Sequence, residues 1–428
     1  MLREEGAFWG EASDESGTFY ISGLIDKNNR VSFSTEKESG NEYYQGTVNE
    51  AMTEMRGTWS KYPNAVDPTS RGEWVVRRHD TIPPKAPAYE PEDDFDENVQ
   101  LRADIPDTPA WRKAHKFVME TIRRGKPFTD PDFKPDESQL WNSQETPSDE
   151  LENLKYVAHK LKWVRATEMY EDPKVFCNKI EPNDVMQGAI GTCYFLAACA
   201  AMAETPDRIR ARFYTQIVNK AGIFLVGIFV GGVETPIIID DFLPTLTTLE
   251  RFEPYFARSR EPELWISLLE KAWAKYLGSY IKIKAGLSRN VAIHLMGTAA
   301  TEINHGTVDD RTEFFNMLMR SYHKGNTMMA TAMNEDEPLG SGETNAQGIV
   351  QLHAYSILKV HATWKTDDEF VSLIKLRNPH GEGEWNGAYS DGSDLWTDEL
   401  KEEVGFECKH DGAFWMPFED YMKEFGYT

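Results

Sequence analysis

The stretch QGAIGTCYFLAACAAMAE, residues 187–204, decides how the rest of the chain is read. From Tyr194 on it is apolar on nearly every side, which predicts a helix buried all round rather than one resting on a surface. The helix starts near Thr192, after a turn holding Gly188 and Gly191, so Thr192 stands where it can cap the helix and Cys193 opens the first turn. A thiol there feels the positive end of the helix dipole and backbone N–H groups without helical partners. Both favour the thiolate, which is the nucleophilic form. An isolated cysteine is ordinarily a small buried hydrophobe, and Cys177, Cys199 and Cys408 are read that way. Gln187 sets Cys193 apart. It places a side-chain amide across the glycine turn, where it can meet an oxyanion beside the Cys193 N–H.

Working outward, Thr205-Pro206-Asp207 carries the cap chemistry of a second helix. The runs IFLVGIFV (223–230) and ETPIIID (234–240) read as strands. In ELWISLLEKAWAKYLG, residues Trp265, Leu268, Leu269, Ala272, Trp273 and Tyr276 fall at helical spacing, and Gly278 stops the helix. RTEFFNMLMRSYHKG (311–325) is another helix ending in glycine, and VQLHAYSILKV (350–360) and FVSLIKLRN (370–378) are strands. Helices first and strands last is an α+β arrangement.

Two residues of those last strands complete a chemical set with Cys193. His353 sits in a mostly apolar strand behind a loop containing Gly340, Gly342 and Gly348. A histidine in such a strand is usually structural, but a glycine-rich loop leading into it can gate a cleft. Asn378 ends the next strand, just before Pro379-His380-Gly381, where an asparagine commonly caps a turn. A Cys–His protease needs an uncharged amide there to fix the imidazole. Each element is weak alone. Together, in the order Cys, His, Asn, they point to thiol catalysis.

The N-terminal region reads differently. TFYISGLI (18–25), RVSFSTEK (30–37), NEYYQGTV (41–48) and EWVVRR (73–78) are short β-rich runs, with turn chemistry at residues 26–29 and 38–41. They predict a small antiparallel β domain over residues 1–80, with Trp9, Trp59 and Trp74 in its core. Residues 81–118 form an acidic, proline-rich linker and a helix that Thr108-Pro109 begins. Residues 126–185 read as irregular.

Composition sets outer limits. The 428 residues hold 46 Lys and Arg against 70 Asp and Glu, a formal charge of −24. An acidic chain is a poor match for nucleic acid or anionic membrane. Its four cysteines form no CxxC pair, so neither a disulfide framework nor a zinc site is indicated. The opening MLREEGAFWG has no apolar run of a secretory signal, and Ile223 to Val230, the most apolar stretch, is too short to span a bilayer. A reducing, cytoplasmic setting is the expectation.

QGAIGTCYFLAA resembles the cysteine motif of calpains. LHAYSI resembles their histidine motif, and LRNPHGEGEWNGAYSD their asparagine motif. IDDFLPT, ELWISLLEKAWAKYLGSY and DGAFWMPFED are similar to other calpain segments, so the likeness covers roughly residues 120–428 and leaves out residues 1–100. The resemblance implies a papain-like cleft between two subdomains, a helical one at 119–288 carrying Cys193 and a β-rich one at 289–428 carrying His353 and Asn378. Cys193 is then the nucleophile, His353 its base, Asn378 the orienting residue and Gln187 an oxyanion donor. It also implies calcium regulation, with Asp184 matching a ligand position in one subdomain and Glu384, Asp391 and Asp411 matching positions in the other. Ile281 and Ala413 stand where the family has acids, which removes oxygen ligands from both sites. Thr192 replaces an aspartate before the cysteine, and His380 replaces the tryptophan that follows Asn-Pro.

The expected function is a calpain-like endopeptidase acting on intracellular proteins, with the N-terminal β domain recruiting a regulatory protein. The rival expectation is a calpain-fold regulatory or scaffold protein with little turnover.

Overall fold

The computed structural model describes residues 101–141, 145–248, 251–333, 342–364 and 370–428, together with the backbone of six strands between residues 6 and 77. The chain divides into two compact units. One comprises Met1–Glu92, Phe229–Glu234 and Met296–Ala300. The other comprises Asp93–Ile228, Thr235–Leu295 and Thr301–Thr428.

In the first unit β1 (Gly6–Asp14), β2 (Gly17–Ile25), β3 (Arg30–Thr35), β4 (Glu42–Val48), β5 (Glu54–Ser60) and β6 (Arg71–Arg77) form one sheet in chain order, each antiparallel to the next. The sequence pattern marks β2, β3, β4 and β6. It misses β1 and β5, whose glycines and acidic residues dilute the β-rich signal. The predicted turns at 26–29 and 38–41, the linker up to residue 100 and the side chains of Trp9, Trp59 and Trp74 lie outside the described residues.

The second unit opens with α1 (Pro109–Arg124). Thr108 caps it by accepting the Trp111 N–H, and Gly125 at φ 63° ends it. Trp111 and Val118 pack against Tyr214, Ile223 and Leu225. The stretch 126–185 is more ordered than its composition suggests. It holds α2 (Asp149–Ala158), β7 (Lys162–Arg165) and the single turn α3 (Ala166–Met169). Its order comes from a long-range pairing of β7 with β10 and from a local cap, Ser148 on α2.

Next come α4 (Cys193–Ala203) and α5 (Pro206–Arg210), then the paired β8 (Ile223–Val230) and β9 (Val233–Asp240). Thr205 precedes α5 as read, but its side chain makes no capping bond. β10 (Phe242–Thr248) lies between β7 and β11 (Arg251–Pro254). The helix α6 (Trp265–Leu277) buries Trp265, Leu268, Leu269, Ala272 and Trp273 as its spacing predicts, and Gly278 at φ 107° ends it. Its Lys271 ammonium is fully buried, paired with Asp240 and bonded to the Phe242 carbonyl at 2.7 Å.

The chain closes with α7 (Ser288–Met296), α8 (Arg311–His323), β12 (Met328–Ala332), β13 (His353–Trp364), β14 (Phe370–Arg377), α9 (Asp398–Val404), β15 (Ala413–Pro417), α10 (Phe418–Glu424) and β16 (Phe425–Tyr427). Strands β15-β14-β13-β12-β16 make an antiparallel sheet, with Phe315, Leu318, Tyr355, Ile357, Phe414 and Tyr421 in one apolar core. Two observations bear directly on the site. The fold is α+β, as expected, and α4 packs on β13, where Ser356 Oγ donates to the Ala197 carbonyl at 2.8 Å.

Candidate active site

The turn ahead of α4 is fixed by close backbone packing. A Cβ on Gly188 would fall 2.2 Å from the Phe256 carbonyl oxygen, so only glycine fits. The Ala189 N–H donates to the Tyr255 carbonyl, and the Gly191 carbonyl accepts the Ala285 N–H. This delivers Cys193 as the first residue of α4, partly exposed among buried neighbours. Burial pushes its thiol pKa up. The neighbouring backbone N–H groups of Ala354, Tyr194 and Cys193 itself oppose that shift. Ala354 is the second residue of β13, the strand that begins with His353 and on which α4 packs.

His353 is 4% exposed, and its Nε2 lies 2.9 Å from Asn378 Oδ1. The same oxygen accepts the His380 N–H at 3.0 Å, while Asn378 Nδ2 donates to the Gly383 carbonyl. That fixes which end of the amide is oxygen. Nε2 therefore carries the imidazole proton, and Nδ1 keeps a free lone pair. Burial first, and the nearby His380 ring second, bring the His353 pKa down to about 3, with Asn378 opposing. The two imidazole centroids are 4.4 Å apart. His380, too, is held below the usual histidine range by burial.

Gln187 reaches this region through its backbone, whose N–H donates to the Pro379 carbonyl at 2.8 Å. Its Nε2 donates to the Ile190 carbonyl at 3.0 Å, using one of its two N–H groups, and its Oε1 is buried without a partner among the described residues. His353 and Asn378 are thus joined through their side chains, Gln187 is tied to Pro379 through its backbone, and Cys193 opens α4, the helix that packs on β13.

The residues matched to calcium positions are arranged otherwise. Among the described residues, no group of three or more His, Cys, Asp or Glu side chains is set to hold a metal. Asp184 accepts the Glu181 N–H at 2.7 Å. Glu384 Oε1 accepts the N–H groups of Asp411 and Gly412, and Asp391 accepts that of Lys409. Asp411 accepts from Asn183 Nδ2 and from the Ala413 N–H. Each carboxylate is already engaged with backbone or side-chain donors. Ile281 is buried in a 3-10 turn, and Ala413 pairs with Arg377 in the sheet.

Sequence reasoning missed several residues that hold the region together. Arg377, fully buried, donates from Nε to Asn183 Oδ1 at 3.1 Å and from Nη2 to the Val185 carbonyl at 2.9 Å. Burial lowers its pKa to about 10, against the pull of Asp411 and Asp184. Arg260 Nη2 donates to the Gly381 carbonyl at 2.8 Å. The one available signal was position: Arg377 directly precedes Asn378.

Comparison with known proteins agrees with this geometry. Residues 128–427 match the family described as calpain family cysteine protease. Calpain-type cysteine protease DEK1 of Arabidopsis thaliana is 32% identical over 335 residues, which is 73% of this chain and 14% of that protein. Calpain-5 of Caenorhabditis elegans is 31% identical over 340 residues, 71% of this chain and 50% of that protein. Calpain-A of Drosophila melanogaster is 33% identical over 276 residues, 62% of this chain and 32% of that protein. The chain spans half or less of the length of these relatives. With the family profile covering most of the chain, residues 128–427, and calpain-named relatives about 30% identical over much of it, this chain belongs to the calpain family of cysteine proteases.

Proposed function

We propose that the chain is a calpain-type cysteine endopeptidase with Cys193 as nucleophile, His353 as general base and acid, Asn378 as the orienting residue and Gln187 as an oxyanion donor. The observation that carries this reading is the 2.9 Å contact between His353 Nε2 and Asn378 Oδ1, which leaves Nδ1 free on the strand against which α4, the helix that Cys193 opens, is packed.

In this proposal His353 Nδ1 takes the thiol proton as the sulfur attacks the peptide carbonyl carbon. The Cys193 N–H and the Gln187 amide stabilise the resulting oxyanion. His353 returns the proton to the leaving amine, and water, deprotonated by the same nitrogen, then hydrolyses the thioester. Ionising the thiol and charging the imidazole both cost free energy at a buried site, so the neutral pair is the resting form. The substrates are proteins, the setting is cytoplasmic, and the N-terminal β domain receives a regulatory partner. Among the described residues, no helix is long and apolar enough to cross a membrane. Calcium has no step in the mechanism.

The test is cleavage of an unfolded protein substrate across a free-calcium titration, with Cys193→Ala as control. Cleavage that the substitution abolishes supports the proposal, and its calcium dependence decides the regulation. Cleavage unaffected by Cys193→Ala defeats it. The second reading, a weakly active regulatory protein, is favoured by the His380 ring against His353, and absence of turnover at every calcium level would select it.

A further inference from the structure

The hydroxyl of Thr192 does not do what its position suggests. As the residue before α4 it stands at the N-cap, where a threonine side chain normally accepts the N–H of the second or third helical residue. Here its backbone lies at φ −98°, ψ 20°, and its side chain makes no capping bond. Instead Thr192 Oγ1 donates to Glu270 Oε1 at 2.8 Å, across 78 residues of sequence. The helix is held at its start by the Thr192 carbonyl alone, which accepts from Phe195 and Leu196.

Glu270 is a buried carboxyl on α6, 1% exposed. Its second oxygen accepts the Ala257 N–H at 2.8 Å, and the Ala257 carbonyl accepts from Ser267 Oγ. The next residue, Lys271, points away to Asp240. Burial raises the Glu270 pKa to about 7, with only its two hydrogen bonds opposing. The titratable groups facing it are Tyr194 and Cys199 on α4 and Tyr280 beyond α6. All three are pushed upward, Tyr194 to about 12, so none of them changes charge near neutrality.

The consequence falls on one N–H group. A capping Thr192 would engage the N–H of Tyr194 or Phe195, and the Phe195 N–H already serves the Thr192 carbonyl. The Tyr194 N–H receives no cap from Thr192 and stands beside the Cys193 side chain, where it opposes the upward shift that burial imposes on the thiol. We propose that Glu270 is a positioning residue for the nucleophile: by accepting the Thr192 hydroxyl it keeps the Tyr194 N–H uncapped and available to the Cys193 sulfur. This rests on the cysteine-protease reading for its meaning, but the sulfur's reactivity can be read without proteolysis.

The experiment is the rate of Cys193 alkylation by iodoacetamide as a function of pH, on the full chain, beside cleavage of an unfolded protein. Thr192→Val keeps the shape and removes the hydroxyl, Thr192→Ser restores it, and Glu270→Gln keeps the packing but presents an N–H to Thr192. The expected result is an alkaline displacement of the alkylation profile by about one pH unit in Thr192→Val and Glu270→Gln, hence about tenfold slower alkylation at neutral pH. Thr192→Ser should stay within about twofold of the parent. Parent-like profiles in folded Thr192→Val and Glu270→Gln overturn the proposal. If Thr192→Val does not fold, Glu270→Gln against Thr192→Ser carries the same decision. A parent that alkylates with the expected pattern but cleaves nothing defeats the protease reading while leaving the positioning role standing.

Discussion

Arg377 and Asn183 meet across 194 residues of sequence, Nε to Oδ1 at 3.1 Å, and the same Asn183 amide donates to Asp411 Oδ2 at 2.9 Å. One neutral side chain thus joins a buried guanidinium on β14 to a carboxylate before β15, and ties both to the segment leading into α4. Removing it leaves two charged groups short of a partner, which costs about 1–3 kcal/mol. Asn183→Ala should lose that much stability in urea unfolding. Asn183→Asp should lose stability as well, because it satisfies Arg377 but sets a second carboxylate against Asp411. Parent-like unfolding midpoints in both would refute the clasp.

The carboxylates that resemblance matched to calcium are occupied by N–H donors, and this bears on how the core is assembled. Asp411 is bonded to Asn183 and Ala413, and Glu384 to the backbone at 411 and 412. An ion held only by the folded chain, at a concentration about 100 times its Kd, would add about 2.7 kcal/mol of stability. The expectation is that millimolar calcium and excess chelator give the same thermal unfolding midpoint. A rise of several degrees with calcium would show that these carboxylates reorganise around an ion.

Much of the site was legible because it is local. The all-apolar face of α4, the periodic residues of α6, the glycine stop at 278 and the strand bearing His353 each leave a pattern within a dozen or so residues. Asn378 was legible because a strand end and a proline follow one another. The Thr192–Glu270 and Asn183–Arg377 contacts left none, since each joins residues far apart through one hydrogen bond. Thr192 shows the cost of local reading: cap chemistry at a helix start is a good inference until a buried acceptor elsewhere outcompetes the helix. The order in residues 126–185 was hidden likewise, because β7 is held by β10 rather than by its own alternation.

His305 gives the fold a pH dependence separable from the active site. It is 7% exposed, its Nε2 lies 2.7 Å from Thr428 Oγ1, and burial lowers its pKa to about 4 from 6.5. The sign follows from linkage. Between these two values the unfolded chain binds the proton and the folded chain does not, so stability falls as pH falls. The contribution is whole above pH 6.5 and declines toward pH 4, by at most about 1.4 kcal/mol per pH unit. His305→Asn should therefore lose less stability than the parent between pH 7 and 5. Parallel stability curves for the two proteins would exclude His305 as the titrating group.

Leu352, the residue before His353, stores backbone strain. Its φ is 50°, in the left-handed region, and it is 47% exposed, so burial of its side chain is not what holds it there. The hydrogen bond from its N–H to the Ala332 carbonyl, at 2.9 Å, locks the turn that aims His353 into β13. A side chain with a Cβ costs about 1–2 kcal/mol in this conformation, and glycine escapes most of that. Leu352→Gly and Leu352→Ala lose the same contacts beyond Cβ, so comparing them isolates the strain. The glycine variant should be more stable by about 1 kcal/mol in urea unfolding, with the alanine variant no more stable than the parent. Equal stability of the two would mean that the turn relaxes without cost, and that the direction of His353 does not depend on a strained residue.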